Sequence, residues 1–273
     1  MAVLVGIFDQ TNTLTGGVTD DTLYGGQLAD LLYGGAGIDR FHGGDGADRM
    51  YGGLGDDIFW AGYGSDTVYG GEGNDVISFG GGRTTALDKC VAYGGEGNDQ
   101  IGGGNGADKL YGGVGNDTVN GGAGNDILAG DAGNDTMNGG SGNDAMYGGL
   151  GNDIMVGGNG NDRLNGGTGM DILTGGAGAD TFVFGDDDQV KDFQGAGATV
   201  GDRIDVSWID SNVDPLVTGD LAFTFGSTAV GGISVDNNGT QTFVRIYNDG
   251  DADADMVMTF NGVLALTADD FIL

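Results

Sequence analysis

An all-β fold is predicted: a parallel β-roll, a right-handed solenoid of eighteen residues per coil, closed at its C-terminal end by an antiparallel β cap. Three observations predict it. A nine-residue unit, G-G-x-G-x-D-x-U-x with U apolar, recurs seventeen times. Its eighth residue stays apolar and its sixth stays aspartate throughout. Beyond residue 183 the period stops and ordinary strand patterns take over. A unit this short cannot bury its apolar residue alone, so it must stack on copies of itself.

Residues 1–15 precede the repeats. Met1-Ala2-Val3-Leu4-Val5 reads as a strand that caps the first coil. An exposed edge that pairs with another molecule is the alternative. The segment lacks the cationic start, long apolar stretch and cleavage site of a secretory leader.

Residues 16–183 form the roll. Copies begin at Gly16, Gly25, Gly34, Gly43, Gly52, Ala61 and Gly70, then run from Gly94 through Gly175 without a slip. Glycine at positions one, two and four is expected to let the backbone turn with positive φ. Three residues are then left for a short strand. Its middle residue faces a thin core: Leu23, Leu32, Phe41, Met50, Phe59, Val68 and Ile77, then Ile101, Leu110, Val119, Leu128, Met137, Met146, Met155, Leu164, Leu173 and Phe182. Its neighbours at positions seven and nine point outward. Two units make a coil, so loop n lies over loop n+2, and Asp117 shares a stack with Asp135 and Asp153.

Residues 79–93 break the register by fifteen residues, which is nine plus six. Cys90-Val91-Ala92-Tyr93 aligns with Asp66-Thr67-Val68-Tyr69. This predicts a degenerate half-turn with Cys90 in place of aspartate and a six-residue extension near Gly80–Thr85, making nine coils. A reactive thiol beside Lys89 is the functional alternative to an incidental cysteine.

Residues 184–273 carry candidate strands at Gln189–Phe193, Asp202–Ile209, Ala222–Phe225, Gly232–Asp236, Thr240–Tyr247, Met256–Phe260 and Phe271–Leu273. Their obvious physical task is to cover the open end of the roll. Asp249, Asp251, Asp253 and Asp255 alternate like a calcium loop, but Phe260 stands where an EF-hand has its distal Glu. A solvated turn competes with a site there.

The stacked loops place carboxylates in rows at strand spacing, where they repel unless a cation lies between them. Carboxylates mixed with turn carbonyls suit a hard ion of Ca²⁺ size. One His and one Cys cannot make a repeated zinc or copper site. Disorder does not require an apolar residue in register in every unit, although without calcium it is the expected state.

These residues resemble the RTX family, the calcium-binding parallel β-roll of secreted bacterial proteins. The resemblance covers residues 16–183. It implies that turn aspartates and carbonyls of successive coils hold Ca²⁺ between them. The ligands would be Asp21, Asp30, Asp39, Asp48, Asp57, Asp66, Asp75, Asp99, Asp108, Asp117, Asp126, Asp135, Asp144, Asp153, Asp162, Asp171 and Asp180. Thr19 and Leu28 replace the fourth-position glycine, Ala61 a first and Asp131 a second. The first two turns are therefore expected to bind weakly, and Asn98 to Asp162 best. Thr181-Phe182-Val183-Phe184, Asp202-Arg203-Ile204-Asp205 and the ending Asp270-Phe271-Ile272-Leu273 resemble the C-terminal region of serralysin-type metalloproteases. That likeness implies an uncleaved signal for export through a type I ABC transporter.

Composition sets the class of function. The chain has 273 residues and net charge −32, from 41 acidic and 9 basic residues. Such a balance excludes nucleic acid as a partner. About a dozen Ca²⁺ would cancel most of it, which links folding to metal. There is no disulfide framework and no run long enough for a transmembrane helix. His42 is the only histidine, so a three-histidine zinc site cannot be built, and no G-x-S-x-G or phosphate loop appears. No enzyme is expected. Thr168 is the only third-position threonine, which argues against ice binding.

Ninth positions place Tyr33, Tyr51 and Tyr69 on one face and Tyr24, His42 and Trp60 on the other, with Arg40 and Arg49 nearby. Such ladders hold sugar rings or proteins, or simply pack across strands. The expected protein is secreted, extracellular or at the bacterial cell surface. Its expected role is structural or adhesive, with self-assembly or polysaccharide binding. The alternative is a folding and secretion module of a larger exoenzyme of protease, lipase or epimerase type.

Overall fold

The computed structural model describes residues 1–80, 88–183, 185, 187–194, 201–207, 224–225, 232–247, 256–262, 264, 266 and 268–272. Among these residues two long sheets face each other, one of fifteen strands and one of twelve. From Val3 to Asp205 successive strands alternate between them, and through the repeats each pairs in parallel with the strand one coil later. Leu31–Ala36 lies beside Arg49–Leu54 with Leu32 opposite Met50 and Tyr33 opposite Tyr51. Loop n therefore lies over loop n+2.

The strands are longer than expected. Each full repeat strand has six residues, not three, because it continues through the first two glycines into position three, as in Thr136–Ser141. Burial alternates along it, so positions eight and one both face inward. The eighth-position residues form one continuous core, none more than 3 % exposed. Phe41 and Phe59 stack within it at 4.5 Å. Burying each such side chain stabilises the fold by roughly 1.5–3 kcal/mol.

The interruption is absorbed without disturbing the stack. Val91–Glu96 pairs with Thr67–Glu72 on one side and Lys109–Val114 on the other. The spacing there is twenty-four residues: Val68 lies opposite Ala92, and Ile77 opposite Ile101. The extension predicted near Gly80–Thr85 lies, from residue 81 onward, outside the described residues.

Both ends differ from a simple lid. Residues 1–15 supply two strands, Val3–Val5 and Thr13–Thr15, one to each sheet, so they form a further coil. Leu4 and Leu14 pack against the core. At the other end the parallel register continues past Val183. Gln189–Val190 extends one sheet and Arg203–Asp205 the other. Met256–Asn261 then adds in parallel to Gln189–Val190 and starts an antiparallel run with Gln241–Tyr247 and Gly232–Asn237. Phe271–Ile272 adds in parallel to Ile204–Asp205. An end strand offers unpaired N–H and C=O groups, and pairing satisfies them more directly than a layer laid across the end. Phe193 joins the cores, lying 6.0 Å from Phe182 and 5.1 Å from Phe260. Arg163 reaches Asp205 at 2.7 Å and ties the cap to the last coils. Among the described residues, no helix is long and apolar enough to cross a membrane.

Candidate metal centre

The seventeen aspartates stand in two rows, one along each edge, and none is more than 4 % exposed. One row runs Asp21, Asp39, Asp57, Asp75, Asp99, Asp117, Asp135, Asp153, Asp171. The other runs Asp30, Asp48, Asp66, Cys90, Asp108, Asp126, Asp144, Asp162, Asp180. Within a row, the N–H of each aspartate but Asp66, which has Cys90 one coil later, donates to Oδ1 of the aspartate one coil later, at 2.6–2.9 Å through the repeats. Position five runs the other way: Asn116 N–H donates to Asn98 Oδ1, and Asn134 N–H to Asn116 Oδ1, each at 2.7 Å.

Oδ1 is thus committed to the fold. Oδ2 is not. From Asp30 to Asp180, every turn aspartate keeps Oδ2 buried and without a hydrogen-bond partner. A buried oxygen of an ionised carboxylate left unmatched is costly. Burial is the main influence on these groups. It pushes the carboxyls of Asp48, Asp57, Asp66, Asp75 and Asp108 up to about 7, with like charges of neighbouring coils adding to it for most of them. It raises Asp117, Asp144, Asp153 and Asp180 to about 6.

At the first-position glycine the orphaned Oδ2 converges with a main-chain carbonyl oxygen in most copies. A methyl group on the first-position Gly148 would lie 2.2 Å from both Asp153 Oδ2 and the carbonyl oxygen of Gly166. First-position glycines do not have positive φ; they are glycine because carboxylate and carbonyl converge there. Positions two and four have it in every copy after the first, as at Gly149 (113°) and Gly151 (126°). Fourth-position carbonyls face the next coil: Gly124 O lies 1.6 Å from where a Cβ on Gly142 would fall. Among the described residues, no group of three or more His, Cys, Asp or Glu side chains could hold an ion by itself. The available set is one carboxylate oxygen with carbonyls, all oxygen, which fits Ca²⁺.

The two altered early turns differ. Leu28 takes a φ of 68°, so its turn keeps the geometry of the later ones and Asp30 Oδ2 stays unmatched. Thr19 does not adopt positive φ, and Asp21 Oδ2 accepts the N–H of Gly17 at 2.9 Å. Cys90 occupies an aspartate place. Its N–H donates to Asp108 Oδ1 at 2.8 Å, but it brings no carboxylate. Its thiol is 2 % exposed, and burial pushes it up to about 12, which removes the reactive-thiol alternative.

Two aspartates continue the rows beyond the repeats and were not anticipated. Asp171 N–H donates to Asp188 Oδ1 at 3.2 Å, and Asp180 N–H to Asp202 Oδ1 at 3.0 Å. The signal was present: Asp188-Gln189-Val190 and Asp202-Arg203-Ile204 both read D-x-U, but at spacings of 17 and 22. Asp249, Asp251, Asp253 and Asp255 lie outside the described residues.

Residues 8–27, 24–59, 51–86, 93–128, 120–155 and 156–188 match the family model of the RTX calcium-binding nonapeptide repeat. The chain belongs to this family. RTX repeats bind calcium, fold on binding it, and occur in secreted proteins. No curated protein matches the chain. Among solved structures, the AlgE6R3 subunit of the Azotobacter vinelandii mannuronan C5-epimerase is 27% identical. It aligns over 60% of this chain and 76% of its own, with a TM-score of 0.26. The AlgE6R2 subunit of the same enzyme is 26% identical over 58% and 88%, with a TM-score of 0.30. The RTX rows here thus join a known repeat chemistry to a particular set of departures at Thr19, Ala61, Cys90 and Asp131.

Proposed function

We propose that this chain is a secreted protein whose solenoid folds when Ca²⁺ loads its turns outside the cell, and that it then serves a structural or adhesive role at a surface or in a matrix. The observation that carries the calcium reading is the buried, unmatched Oδ2 atom that every turn aspartate from Asp30 to Asp180 carries. These aspartates, with Asp21, are the proposed ligands, with turn carbonyls completing the shells of about a dozen ions. Bound calcium would supply positive charge where desolvated carboxylates converge. The chain's own residues do the rest: amides fix each Oδ1, glycines admit the carbonyls, and the apolar column holds the coils in register. Inside a cell, where free Ca²⁺ is low, the acidic chain would stay unfolded and able to thread a type I ABC transporter through its C-terminal region. Extracellular modules bind Ca²⁺ at roughly 10⁻⁴–10⁻³ M, which suits loading outside. We assign no catalytic step to the solenoid.

A second reading, a folding and export module of a larger exoenzyme, is favoured by the first coil. Val3, Val5, Ile7 and Phe8 are each more than 60 % exposed there, an apolar edge suited to a neighbouring domain. The length of the natural reading frame separates the two. Circular dichroism tests the calcium reading common to both. A β-rich, cooperatively melting chain is expected in millimolar Ca²⁺ and a disordered one in chelator; a folded spectrum in excess chelator would sink it.

A further inference from the structure

The outward tyrosine column of the twelve-stranded sheet is longer than three rings, and it has one gap. Tyr33, Tyr51, Tyr69, Tyr93 and Tyr111 stack in sequence with ring centres 4.8–5.0 Å apart. The next residue in the column is Ala129, opposite Tyr111, and the one after is Tyr147, opposite Ala129. Inside the ladder each ring face is covered by its neighbour. At Ala129 one ring is missing, and Tyr111 and Tyr147 lie two strand spacings apart, roughly 9.6 Å. That leaves room for one flat group between two aromatic faces.

The same strand carries a second departure. Asp131 is the only residue other than glycine at position two in the seventeen repeats. It holds a left-handed φ of 72°, is exposed, and sits between Gly113 and Gly149 in register, two residues along the same face from Ala129. Lys109 aligns with Ile127 at the other end of the strand, roughly 13 Å from Asp131 by strand rise. The slot thus has two aromatic walls and an alanine floor, with Asp131 exposed two residues along the same face.

We infer that the gap at Ala129 is a binding slot for a planar cation, the guanidinium of an arginine presented by another polypeptide, stacked between Tyr111 and Tyr147 and paired with Asp131. Guanidinium is flat, stacks on aromatic faces and forms forked hydrogen bonds with carboxylate. A uronate or other anion would meet the carboxylate of Asp131. A neutral sugar would make no use of the carboxylate.

The test uses the full calcium-loaded chain and N-acetylarginine amide as probe, followed by tyrosine fluorescence or NMR. Saturable binding at a single site is expected, with the neutral citrulline counterpart and the non-planar lysine counterpart each about fivefold weaker or worse. Asp131→Gly, which restores the repeat's own residue, should weaken the arginine probe about fivefold and abolish its preference over citrulline. Ala129→Tyr should complete the ladder and remove saturable binding while the calcium-dependent circular dichroism is unchanged. Should that variant fail to fold, Tyr147→Ser, which removes one wall, must give the same loss. Equal binding of arginine and citrulline, or undiminished arginine binding once the slot is filled or opened, would overturn the assignment.

Discussion

Three glycines of the repeat answer to two different demands. At positions two and four the backbone is left-handed, and a side chain is costly wherever it stands. At position one φ is ordinary, and only the crowding of carboxylate and carbonyl matters. The natural departures follow this division. Ala61 is accepted at position one and is fully buried. Asp131 at position two is a residue type that tolerates the left-handed region. Leu28 is not: it holds φ at 68° with a branched side chain 51 % exposed and nothing to gain from it. Leu28→Gly should therefore stabilise the calcium-loaded chain by about 1 kcal/mol, seen as a higher urea midpoint. An unchanged or lower midpoint would mean that the turn is not strained there. The sequence shows that glycine is needed at each position but not why, because the crowding at position one arises only when neighbouring coils are stacked.

At the scale of elements, the half-turn at 88–96 is the informative one. It keeps the strand pairing of a regular unit: Val91 N–H donates to Asp66 O, and Lys109 N–H to Cys90 O, both at 2.9 Å. What it lacks is a carboxylate, so one row is complete and the other is split at Cys90. Cys90→Asp should restore the row, bind about one more Ca²⁺ per chain by metal analysis after dialysis, and lower the calcium concentration at which the chain folds. An unchanged ion count would show that this turn takes no ion whatever its side chain. The register through this element was legible because Ala92 and Tyr93 keep the core and outward columns. Strand length was not, because glycines read as turn although here they extend a pleated strand, with position one facing inward beside the turn carboxylate. The cap was half legible. Its strands carry ordinary apolar patterns, yet nothing local says that Gln189–Val190 and Arg203–Asp205 continue a parallel stack. Asp188 and Asp202 were hidden by spacings that break the period.

For the whole molecule, charge and folding are one problem. Without metal, burial raises the turn carboxyls from the ordinary 3.8 to about 6–7. A group with a raised folded-state pKa favours folding while it is protonated. Its contribution is present at acid pH and is lost as pH rises through 6–7. The metal-free chain should therefore gain β structure in chelator as pH falls from 7 towards 5, while calcium affinity falls over the same range because protons compete for the same oxygens. Circular dichroism and a calcium electrode measure the two arms. A chelated chain equally unfolded at both pH values would show that carboxylate burial is not what opposes folding. Asp205 runs the other way. Its burial is outweighed by hydrogen bonds from Ser207 and Arg163, so it stays below its usual range and keeps its pairing at neutral pH.

The alternation of strands between the sheets also gives the rod a parity. Removing residues 117–134, one full coil, should shorten it by about 4.8 Å and leave both ends facing as before. Removing residues 117–125, half a coil, should also leave a stackable chain, but everything downstream would rotate by half a turn. Tyr147 would then stand on the face opposite Tyr111, which fluorescence transfer between labels at the two positions would report. The interruption preserves that parity, since the strands on either side of it pair across twenty-four residues in both sheets. The rod can thus vary in length like a ruler marked in coils, holding whatever its two ends carry at a fixed mutual orientation only when whole coils are added or lost.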